Sequence, residues 1–205
     1  MKPIHKIKPE RSADGRNLKY GNQNTKKQLA KDFNCCCGYC GDAHHYTGGI
    51  NSYHVDHFAP KSKFPDNCNQ YSNLVYSCSY CNIAKSDKWL SDNIEQGIVD
   101  GVGFVDPCSL DYSKHLERAG NGRIIYKTSV GKYMYSELKL YLMRHELIYQ
   151  LEELRNMINR IKRKIDENIE NNRPIERLQK MHAMLCVAHF YYFNEYCEDL
   201  DSVLL

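Results

Sequence analysis

Along residues 147 to 165 the apolar positions Leu147, Leu151, Leu154, Ile158, Ile161 and Ile165 recur at steps of 4, 3, 4, 3 and 4. That is the narrow apolar stripe of a long helix. The "NNRP" segment ends it, because Pro174 cannot continue a helix and disfavours helical geometry at Arg173. Ile175, Leu178, Met181, Leu185, Ala188 and Tyr192 then share one side of a second helix, so the pair is expected to fold back as a hairpin.

The pattern nearer the N-terminus is different. "NTKKQLAKDF", from Asn24 to Phe33, reads as a short helix capped at Asn24 or Thr25. "SYHVDHF" alternates like a short strand that stops before Pro60, with His54 and Asp56 on one face and Val55 on the other. "SKFPDNCNQYSN" is rich in turn residues, and "YCNIAKSDKWL" predicts the start of another helix. Residues 97 to 130 carry many glycines and one good strand candidate, "GRIIYKT". The expected division is a basic arm with a short helix at 1–34, a compact module at 35–130 and a helical region at 131–205.

Composition narrows the class. At 205 residues the chain can bury one ordinary core plus a helical appendage. No apolar run approaches the roughly 20 residues of a membrane span. The N-terminus is charged where an export signal is apolar, which predicts a cytoplasmic protein without membrane contact. The net charge of +3 is unevenly spread: residues 1 to 34 hold nine Lys/Arg against Glu10, Asp14 and Asp32. Such an arm suits a phosphate backbone, and it equally suits a solvated terminus.

Ten cysteines in a chain without an export signal point to metal thiolates rather than disulfides. Only Cys37, Cys40, Cys78 and Cys81 make a pattern, the two Cys-x-x-Cys turns "CGYC" and "CSYC". Each such turn sets two thiolates along one edge of a tetrahedron, so the pair predicts a structural zinc site, against a minority reading as a redox dithiol. The 37 residues between the turns leave room for something else.

That insertion holds "YHVDHFAPKS". Phosphodiester hydrolysis requires a base for the attacking water and a cation for the charge that develops on phosphate and leaving oxygen. His57, with an ordinary pKa of roughly 6.5, suits the base. Asp56 and the amide oxygen of Asn82 are hard donors for Mg²⁺ or Mn²⁺. His54, on the Asp56 face, is a further candidate metal ligand, with a supporting or structural role as the favoured reading. Lys85, a helical turn beyond Asn82, and Lys61 are candidate phosphate contacts or plain surface charges.

"CGYC", "HVDHFAPKS" and "NLVYSCSYCNIAK" in this order resemble the HNH endonucleases of the four-cysteine zinc type. The resemblance covers about residues 35 to 90. It implies an α+β fold: a zinc-clamped ββα-metal HNH module, here followed by a C-terminal helical hairpin. It also implies His57 as general base, Asp56 as first metal ligand, Asn73 as the residue that steadies the loop and helps orient the histidine, and Asn82 in the place of the last histidine. DNA is the implied substrate. The layout is further similar to the HNH nuclease component of Septu and retron-associated anti-phage systems, which works with an ATPase subunit; the hairpin would then be a docking surface or a homodimer contact. The competing class is a zinc-dependent nucleic-acid-binding or protein-interaction module without catalysis.

Overall fold

The computed structural model describes residues 2–202 of the chain. The chain divides into two compact units between Leu142 and Met143.

The first unit is built on a ββα element. Strand β1, Tyr53–His57, pairs antiparallel with β2, Leu74–Cys78, in the register Tyr53↔Cys78, Asp56↔Val75 and His57↔Leu74. Every residue of β2 is buried, as expected for a β-branched and aromatic "LVYSC" run covered on both faces. Tyr76 stacks on Tyr53, its diagonal neighbour across the pair, with ring centroids 4.7 Å apart. Helix α1, Gln23–Asp32, packs behind this ribbon through Leu29 and Ala30. Helix α2, Ser79–Lys85, follows β2 without a linker; the Cys78 sulfur serves as its N-cap and accepts from the Cys81 amide at 3.5 Å.

Residues 2–22 lie against the unit instead of projecting as an arm. Ile4 is buried, and Lys2 exchanges backbone hydrogen bonds with Arg118 at 3.0 and 2.7 Å. Arg11 pairs with both Asp106 oxygens at 2.8 and 3.1 Å and donates through Nε to the Leu74 carbonyl at 2.7 Å. The basic character of this segment is thus partly used inside the fold. Helix α1 begins one residue before the expected run, because Asn22 is the cap and accepts from the Asn24 amide at 2.8 Å.

The rest of the first unit extends the module. A small hairpin joins β3, Ile98–Val99, to β4, Val102–Gly103. Helix α3, Tyr112–His115, leads into β5, Leu116–Arg118, which pairs with β6, Ile124–Tyr126, inside the expected "GRIIYKT" segment. Helix α4, Ser129–Glu137, is capped by Thr128, which accepts from the Gly131 amide at 3.0 Å. Phe104, Leu116, Ile124, Met134 and Leu138 close the core with the ββα residues.

The second unit is a helical hairpin. Helix α5, Met143–Glu170, carries the predicted apolar stripe, and α6, Glu176–Ser202, packs along it. Their turn uses Asn172 at φ 51° and an Asn168 side-chain hydrogen bond to the Pro174 carbonyl at 3.1 Å. Mixed helices and short antiparallel sheets make this an α+β protein. Among the described residues no helix is long and apolar enough to cross a membrane.

Candidate active site

The four paired cysteines converge. Cys37, Cys40, Cys78 and Cys81 are buried and unpaired by disulfides, and their sulfurs all lie within 4.8 Å of one another. The Cys40 and Cys78 sulfurs are 3.9 Å apart, against about 3.8 Å for the edge of a zinc–thiolate tetrahedron. Burial pushes the Cys40 thiol well above its ordinary value, so a thiolate there requires a cation beside it. Donor type, number and spacing all fit zinc. The surrounding chain fixes the first knuckle: Arg118 donates to the Cys40 carbonyl at 2.5 Å, Tyr112 to the Tyr39 carbonyl at 2.6 Å, and the Gly38 amide to the Tyr76 carbonyl at 2.7 Å. A Cβ on Gly38 would lie 2.7 Å from both the Phe33 ring and Val75, so only glycine lets the knuckle sit this close to β2.

Beside the knuckles a groove of about 850 Å³ opens along β1. His54, Asp56 and His57 line it from β1, Asn82 and Ile83 from α2, and Tyr20, Asn22 and Lys26 from the N-terminal side. Lys61 lies on its rim. Five of the candidate residues named from sequence therefore share one surface: Asp56, His57, Asn82, His54 and Lys61. Two others, Asn73 and Lys85, do not line it.

Asp56 is held from behind. Its Oδ2 accepts the Tyr39 hydroxyl at 2.5 Å and faces the Lys85 ammonium at 3.7 Å. Burial pushes its pKa up to about 6, against the pull of Lys85 first and the Tyr39 hydrogen bond second. A carboxylate in this state gains strongly from a divalent cation. Burial, together with the Asp56 charge, keeps Tyr39 protonated as the donor.

His57 has a fixed tautomer. Its Nε2 lies 2.9 Å from the Cys68 carbonyl, which can only accept. The proton of the neutral ring is therefore on Nε2, and Nδ1 keeps its lone pair. Burial lowers the His57 pKa, partly offset by the Cys68 carbonyl, and the nearby Lys61 and Lys85 charges lower it further. The imidazole is thus neutral at pH 7, as a base must be.

Asn73 acts one step away from the ring. Its Oδ1 accepts from the Ala59 amide at 2.8 Å and its Nδ2 donates to the Ala59 carbonyl at 2.9 Å, while the Phe58 amide bonds its backbone at 2.8 Å. It locks the turn that follows β1. The hydrogen bond that orients the His57 ring comes instead from Cys68.

Lys85 is neither the phosphate contact nor the surface charge expected from its spacing. Its side chain is fully buried, and Nζ donates to the His57 carbonyl at 2.9 Å while lying near Asp56 and 5.7 Å from the centre of the Phe104 ring. Position 85 lies on the inner face of α2, with Ala84 and Cys81, so the lysine reaches under β1 rather than out to solvent. Tyr39, the Cys68 carbonyl and Tyr20 were not singled out in the sequence. Each acts across a separation that no local pattern marks; only Tyr39, inside a knuckle, carries even a positional hint.

Comparison with known families is specific. The family model for HNH endonuclease matches residues 37–88, from the first knuckle cysteine to just past α2, about a quarter of the chain. The matched stretch contains the four-cysteine cluster, which is consistent with the zinc type of that domain. No curated protein matches the chain.

Proposed function

We propose that this protein is a metal-dependent endonuclease that hydrolyses DNA phosphodiester bonds. The observation that carries it is the pair on β1: a partly desolvated carboxylate, Asp56, next to a neutral imidazole whose Nδ1 is free, both in one groove.

In this reading His57 Nδ1 takes the proton from the attacking water, and the Cys68 carbonyl stabilises the imidazolium that forms through the Nε2 hydrogen bond. Asp56 and Asn82 would hold the catalytic Mg²⁺ or Mn²⁺, with His54 as a candidate third ligand. That ion would supply charge stabilisation on the phosphate and leaving oxygen. Lys61 attracts the phosphate backbone from the rim, and Asn73 keeps the β1 turn in place. The zinc of the four cysteines is structural.

The similarity to the Septu and retron-associated nucleases supports a narrower role, as the nuclease effector of a cytoplasmic anti-phage system with an ATPase partner. Helix α6 leaves Met184, Val187, Phe190 and Tyr191 exposed, a row of apolar side chains suited to a protein contact. An ATPase subunit is the occupant this reading favours, and a second copy of the chain is its competitor. Pull-down of the native protein with mass spectrometry separates them.

The nuclease reading is tested with supercoiled plasmid and single-stranded RNA of equal mass, under Mg²⁺, Mn²⁺ or EDTA, with the co-purified partner present. Cleavage of the plasmid that requires the divalent ion supports it. Cleavage of RNA alone would move the substrate class, and cleavage unaffected by EDTA would remove the catalytic ion.

A further inference from the structure

Tyr20 lies outside the matched stretch, yet its ring packs on the catalytic candidate His57 with centroids 4.4 Å apart and planes at 55°. The contact spans 37 residues of sequence and joins the N-terminal segment to β1. Lys61 secures the other partner: its Nζ sits 4.6 Å from the centre of the Tyr20 ring and donates to the hydroxyl at 3.4 Å.

The turn that carries Tyr20 is tightly held. Thr25, fully buried, donates to the Lys19 carbonyl at 2.6 Å, and the Asn22 amide bonds the same carbonyl at 3.2 Å. Gly21, at φ +85°, reverses the chain where a side chain would be strained, and Asn22 then caps α1. The ring is thus presented by a pinned turn at the start of a helix rather than by a mobile arm.

His57 has one hydrogen bond to the protein through its ring, Nε2 to the Cys68 carbonyl. With a single bond at one edge the imidazole can turn about Cβ–Cγ, which draws Nε2 away from the Cys68 carbonyl, releases the tautomer and swings the base nitrogen with it. The Tyr20 ring, packed on the imidazole at 4.4 Å in a tilted arrangement, opposes that turn.

The geometry points to Tyr20 as a positioning residue for His57, supplied from outside the HNH stretch, that fixes the plane of the imidazole so Nδ1 faces the groove. This rests on the nuclease reading for its consequence in turnover, but not for the ring contact itself. The aromatic ring carries the effect, and the hydroxyl serves only the Lys61 tether.

The test uses the full-length zinc-loaded protein as wild type, Tyr20→Ala, Tyr20→Leu and Tyr20→Phe, with zinc content and thermal midpoint checked for each. Long-range proton–nitrogen NMR of the imidazoles at pH 7.5 or above reads the tautomer of His57 directly. Wild type and Tyr20→Phe should show one tautomer with the proton on Nε2, whereas Tyr20→Ala and Tyr20→Leu should show averaged nitrogen shifts. In plasmid cleavage, Tyr20→Ala should lower kcat about tenfold or more with KM changed less than about twofold, and Tyr20→Phe should restore kcat. An unchanged tautomer pattern in folded Tyr20→Ala overturns the proposal, as does a Tyr20→Phe variant as impaired as Tyr20→Ala. If wild type with its co-purified partner cuts nothing while the NMR pattern still depends on the ring, the positioning stands and the nuclease reading falls.

Discussion

The Lys85 ammonium donates to the backbone carbonyl of His57 at 2.9 Å from beneath the strand, with no exposure to solvent. One buried cation thereby holds the main chain of His57, the proposed base, and balances the charge of its neighbour Asp56. Burial lowers the Lys85 pKa, and the Asp56 carboxylate is the main force opposing that shift.

Lys85 and Lys61 should therefore fail in different ways. Lys85→Met leaves a buried Asp56 without its counter-charge and should cost about 3 kcal/mol of unfolding free energy in denaturant titration. Lys61→Ala removes an exposed charge and should leave stability within about 0.5 kcal/mol while raising KM for plasmid, more so at low salt. A stable Lys85→Met protein with only a raised KM would restore Lys85 to the substrate surface.

The zinc cluster predicts a folding dependence rather than a catalytic one. Cys81→Ser should lower zinc content and the thermal midpoint together, since Cys81 joins the cluster from α2 and no disulfide joins the two knuckles. Chelation should do the same to wild type, and added Mg²⁺ should not reverse it. A Cys81→Ser variant that keeps full zinc and stability would show that the site needs only three thiolates.

The pH profile of cleavage has a sign set by burial. His57 must be neutral to take a proton, and its lowered pKa keeps it neutral further into acid than the ordinary 6.5 allows. Asp56 must be ionised, and its pKa of about 6 in the metal-free protein works the other way. Both conditions are lost as pH falls, so activity should be full at pH 7 and decline on the acid side with a midpoint below 6.5. A saturating divalent ion favours ionised Asp56, so the midpoint should move lower as metal is raised from subsaturating to saturating. A midpoint above 6.5 at saturating metal would contradict a desolvated His57.

The parts legible in the sequence are those whose signal is local. The Cys-x-x-Cys turns mark both knuckles, alternation marks β1, and the apolar stripe marks α5. Asp56, His57 and Asn82 are near one of these marks and prove to share a groove. The N-terminal segment was harder to read because its ties are distant: Arg11 bonds Asp106 and Lys2 pairs with Arg118. Lys85 shows the limit of helical spacing. Being one turn from Asn82 does not decide exposure in a helix of seven residues whose inner face rests on β1. The same holds for Tyr39, Cys68 and Tyr20, which reach the site only through the tertiary fold.

The central claim, that the β1 pair performs hydrolysis rather than shaping a binding surface, is tested most directly by His57→Ala. Wild type and variant, each with native partner and matched zinc content, are compared on plasmid in Mg²⁺ or Mn²⁺, with DNA binding measured in parallel. Loss of the base should lower the cleavage rate about 10²-fold or more and leave binding within about twofold. Equal cleavage by both proteins, or cleavage and binding falling together, would contradict it.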